Sequence, residues 1–148
     1  MLHRLIYVSY VTHGLSRVKA RSANHMTMTW VTGWSALLFA VLVLAVALYA
    51  LSLSGHFPSE HRGAALRGAS GTVFIGVTAA LSLASLAFGL IAGWSKVPWY
   101  ALVIAGGAAL LGAPLVLMKF PDQFVNGRSA LAAFSGITAA LAAMLYVL

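Results

Sequence analysis

The chain has 148 residues, 61% of them hydrophobic and only 7% charged, and its nine Lys and Arg against two acids give a formal charge of +7. That balance excludes an ordinary soluble domain, where about a quarter of residues are charged. The absence of cysteine excludes disulfides, thiolate metal sites, haem attachment through Cys and a cysteine nucleophile.

Residues 1–25 carry Arg4, Arg17, Lys19 and Arg21 without a single acid and are too polar to span a bilayer. Three readings stay open for this basic N-terminal extension. It is a segment lying on the membrane surface, a targeting-like stretch, or a leader ahead of a start at Met26 or Met28.

Residues 26–148 form the predicted transmembrane domain. Four apolar runs, at 30–54, 71–94, 97–118 and 129–148, are each long enough to cross about 30 Å of hydrocarbon, which takes about 20 helical residues. None has Asp, Glu, Lys, Arg or His in its central part. In lipid every backbone N–H must find its partner within the segment, so continuous runs of this kind predict helices, whereas a barrel would alternate in period two. The fold class is therefore all-α, with four transmembrane helices. Trp30, Trp34, Trp94, Trp99 and Tyr100 sit near the ends of these runs, where amphipathic rings prefer the headgroup level, and they read as interface anchors. The first connection, "GHFPSEHRGAALRGAS", and the third, "KFPDQFVNGR", read as loops; the second, around Ser95 and Lys96, is a tight turn. Pro114 near the end of the third run is expected to kink or fray it by removing a backbone donor.

A repeat organises the domain. "FIGVTAAL" begins at Phe74 and "FSGITAAL" begins sixty residues later at Phe134, while "GWS" at Gly33 returns at Gly93 with the same offset. Phe57 and Pro58 correspond to Phe120 and Pro121, displaced by three further residues. These matches predict a tandem duplication of a two-helix hairpin, repeat 1 at about 30–89 and repeat 2 at about 90–148. Because each unit crosses twice, the copies are parallel, with a pseudo-twofold along the membrane normal.

Small residues four apart let helix backbones approach closely. Gly76 with Ala80 and Gly136 with Ala140 are accordingly expected where the second and fourth spans meet, with Gly89 and Gly93 continuing the stripe. The first span, rich in Leu and Val, is expected to face lipid most. Thr78 and Thr138 are equivalent polar positions, read as bonding their own helix carbonyls or a neighbouring helix.

Signals for chemistry are sparse. His56, Glu60 and His61 concentrate titratable groups in the first loop, but their spacing matches no metal motif and they read as solvated. No phosphate loop, nucleophile elbow or carboxylate pair is present, so the sequence supports neither an enzyme nor a cofactor. Ion-coupled transport usually leaves an ionisable residue inside a span, and these spans lack one. The bases flank apolar runs, which makes the lipid surface, and not nucleic acid, their partner. The sequence is therefore read as a multi-pass protein of the bacterial cytoplasmic (inner) membrane with a structural or accessory role, associating with itself or with other membrane subunits. The alternative is a passive channel or small-solute transporter formed by the bundle or its oligomer.

Overall fold

A computed structural model describes residues 30–54, 68–125 and 127–148. The described chain is helical: α1 (Trp30–Ser54), α2 (Ala69–Trp94), α3 (Trp99–Leu117), a single turn α4 (Asp122–Val125) and α5 (Arg128–Val147). The four long helices have 25, 26, 19 and 20 residues, each apolar enough to cross a membrane. The chain is a multi-pass membrane protein built as a four-helix bundle. α4 is an addition to the expected loop, in which Phe124 and Val125 donate back to the Pro121 carbonyl.

Local chemistry sets the boundaries. Pro98 holds φ −56° and ψ 139° ahead of α3; its ring disfavours helical geometry at Val97, so α2 cannot run on into α3. The turn is closed by Lys96 and Val97, whose N–H groups both donate to the Gly93 carbonyl. This break separates the two "GWS" copies. Gly33, Trp34 and Ser35 lie inside α1, where no proline intervenes, while Gly93 and Trp94 end α2 and Ser95 lies in the turn. Ahead of α2, Gly68 takes φ +91°, a conformation that L side chains rarely adopt. α3 runs past Pro114 to Leu117 before short backbone bonds tighten its end.

α2 and α5 pack side by side and run in the same direction. Near their starts the Arg128 guanidinium carbon lies 5.9 Å from the Phe74 ring centroid; near their ends the Phe88 and Tyr146 rings are 5.2 Å apart. α1 runs antiparallel to α2, since Tyr49 near its end meets Thr78, and Leu42 further back meets Gly89.

The buried face of α2 is Gly71, Ile75, Thr78, Ser82, Ser85, Gly89 and Ala92, with Gly93 beside it. Its spacing alternates four and three residues, the seam of left-handed packing at shallow crossing angles. Sixty positions on, α5 buries Leu131, Ser135, Thr138, Ala142 and Leu145, the counterparts of Gly71, Ile75, Thr78, Ser82 and Ser85.

Two expectations are corrected here. Gly76, Ala80, Gly136 and Ala140 are exposed, and a Cβ built on either glycine meets nothing within 4 Å. They lie beside the seam because in each octapeptide it passes through the threonine. The first span is also the most buried, with 44% of its most apolar 18-residue window inside the bundle against 17% for α3. Close approach needs a small residue on only one of two helices. The large side chains of α1 enter hollows left by glycines elsewhere: Leu42 at Gly89, and Phe39 at Gly93 and Gly106.

Candidate functional site

Among the described residues, two places carry polar chemistry. The first is a group of hydroxyls buried at the junction of α1 with α2. Thr78 Oγ1 lies 2.9 Å from the Phe74 carbonyl and 3.1 Å from that of Ile75 on its own helix. A hydroxyl has one proton to give, and Thr78 gives it to its helix. The 3.0 Å contact between Tyr49 Oη and Thr78 Oγ1 is then a bond donated by the tyrosine, which also lies 3.4 Å from the Ile75 carbonyl. Thr138 donates to Ser135 O at 2.8 Å, Ser135 to Ala132 O at 3.1 Å and Ser85 to Leu81 O at 2.7 Å. Ser35, Ser52 and Ser82 are buried, and their hydroxyls have no hydrogen-bond partner.

Of these bonds those of Tyr49 link two helices, and the others stay within their own helix. Thr138 is wholly buried and Thr78 nearly so, so neither lines a water-filled passage. Tyr49 is the element the sequence reading missed. Its signal was available, because it is the tyrosine set furthest from the ends of any apolar run, and a buried phenol needs an acceptor.

The second place is the turn between α2 and α3. Half-buried Lys96 reaches across to the end of α5, where its ammonium donates to the carbonyls of Leu145 at 2.7 Å and Tyr146 at 3.0 Å. The last carbonyls of a helix have no partner inside it and carry the negative end of its dipole, so a cation there contributes about 0.3–1 kcal/mol. No local pattern announces this cap, since donor and acceptors are 49 and 50 residues apart. Trp94 and Trp99 flank the turn, and Trp30 and Trp34 lie at the start of α1; all four are exposed.

At the other end of the bundle Phe120, Phe124 and Phe134 form an aromatic cluster, with ring centroids 5.6–6.0 Å apart. Beside it, Leu51, Pro114, Leu117, Met118, Phe120 and Val125 line a hollow of about 480 Å³. These side chains are apolar, and the Met118 thioether is the one soft donor among them. His56, Glu60 and His61 lie outside the described residues, among which no three His, Cys, Asp or Glu gather into a metal site. Comparison with protein-family models, with curated proteins and with solved structures finds no match.

Proposed function

We propose that the protein is a structural or accessory component of its membrane, associating with copies of itself or with a larger membrane complex. One observation carries this reading: the bundle leaves its repeated small residues facing outward. Gly76 with Ala80 on α2 and Gly136 with Ala140 on α5 are open to the surroundings. Where lipid is as apolar as any side chain, association of spans relies on close packing, and small residues four apart permit it. α3 adds Val103, Ile104, Leu110, Leu111 and Leu115, all exposed.

The proposal extends to origin and place. Five matching buried positions on α2 and α5 support a tandem duplication, and the unequal burial of α1 and α3 makes the first helix of each unit the one that diverged. The proposed location is the bacterial cytoplasmic membrane, with neither catalysis nor a cofactor as part of the role. A passive pore finds less support, because the paired threonines point into packed protein and spend their protons on helix carbonyls. The experiment is isolation from native membranes in mild detergent, with the mass and composition of the particle measured. A stoichiometric partner or a defined oligomer is the expected result. A monomer that retains nothing would end the proposal.

A further inference from the structure

Among the described side chains no carboxylate balances the charge of the Lys96 ammonium. Leu145 and Tyr146 supply carbonyl dipoles to two of its three N–H groups, and no described residue accepts the third. Of the two acids of the chain, Asp122 begins α4, beyond the far end of α3 from Lys96, and Glu60 lies outside the described residues. Residues 1–29, outside the described part of the chain, contain no acid.

Beside the ammonium the surface is recessed. Phe88, Ile91, Ala92, Ser95, Lys96 and Tyr146 enclose about 290 Å³. The recess is polar at the turn and apolar along α2, where Phe88 and Ile91 are exposed toward the membrane. Its depth is set by Trp94 and Trp99, whose exposed rings on either side of the turn suit the headgroup level.

We propose that this recess binds an anionic phospholipid, whose phosphate accepts from Lys96 and whose first methylenes lie against Phe88 and Ile91. Charge complementarity selects the occupant: one unbalanced cation at headgroup depth, above an apolar slot continuous with the hydrocarbon. A lysine near an anionic surface is worth about a fivefold preference for the charged lipid, which sets the size of the effect to be read.

The test is native mass spectrometry of the full chain in detergent, titrated with phosphatidylglycerol or phosphatidylcholine. A neutral C-terminal tag moves the terminal carboxylate beyond Leu148. The first phosphatidylglycerol adduct is expected to form about fivefold more tightly than its phosphatidylcholine counterpart. Lys96→Gln should erase that preference and Lys96→Arg restore it. Because Lys96→Gln also disturbs the end of α5, Ile91→Glu serves as a second probe. It changes an exposed lining position, places a carboxylate in the recess, and should abolish the preference with the helical content unchanged. Equal affinity for the two lipids in the unmodified protein overturns the assignment, as does a preference that survives both substitutions. Inorganic phosphate should leave the adduct in place; displacement by it would identify a simple anion site and overturn the phospholipid.

Discussion

Gly89 is where a single methyl group should matter most. A Cβ built there collides with Leu42 Cδ2, and Leu42 Cγ and Leu145 Cδ2 stand 3.6 and 3.9 Å away. Leu42 and Leu145 are both wholly buried, so Leu42 has no open space into which to turn. Overpacking of this kind costs about 1–3 kcal/mol, and the gain in helix propensity from Gly to Ala returns at most about 1 kcal/mol. Gly89→Ala should therefore lower stability by about 0–3 kcal/mol, and Gly89→Leu by more. Leu42→Ala alone removes a fully buried side chain and should cost about 2–5 kcal/mol. Combined with Gly89→Ala it should cost less than the sum, because the new methyl occupies vacated space. The assay is a double-mutant cycle followed by unfolding in mixed detergent micelles, with Gly76→Ala as the control at a position that meets nothing. Strictly additive effects, or equal damage at Gly76, would refute the packing argument.

Gly76→Leu with Gly136→Leu should leave the unfolding midpoint of the bundle unchanged while reducing the mass of the native particle, as read by light scattering. Tyr49→Phe should destabilise the bundle by about 0.6 kcal/mol, the mean worth of a hydrogen bond between spans; thermal unfolding in detergent measures it. Ser82→Ala should be neutral or stabilising in the same assay, since its buried hydroxyl is unpartnered and leaving such a group unmatched costs about 1–3 kcal/mol. Single cysteines at Ser95 and Gln123 should react with an impermeant thiol reagent from opposite sides of the membrane, because α3 lies between them.

The existence and approximate limits of all four spans were legible, because run length against bilayer thickness is a strong constraint and Val97-Pro98 breaks the chain where the second connection falls. The inward faces were harder to read. In a soluble bundle apolar periodicity marks the core, but here surroundings and core are both apolar, so periodicity carries little information. Spacing of small residues was the substitute, and it selected Gly76 and Ala80 when the seam runs through Ile75, Thr78 and Ser82. Thr78 itself pointed the right way: a hydroxyl avoids lipid, and it lies in the seam of α2 just as Thr138 lies in that of α5. The central place of α1 could not be read from its own residues, because the hollows that receive Leu42 and Phe39 are made by Gly89, Gly93 and Gly106. Of the two polar places, Tyr49 was recoverable from its position, whereas the Lys96 cap depends on a fold that returns α5 to the end of α2.

The parallel contact of α2 with α5 has a consequence for biosynthesis. During synthesis α1 and α2 can dock as soon as both have left the insertion machinery, because Leu42, Gly89, Tyr49 and Thr78 all lie within that first hairpin. The side of α2 destined for α5 must wait until the chain has crossed the bilayer twice more. Throughout that interval Lys96 is already in place but the carbonyls of Leu145 and Tyr146 have not yet been made. A nascent chain arrested before α5 would therefore display α2 half covered, a state that quality-control proteases and insertion chaperones could distinguish from the finished bundle.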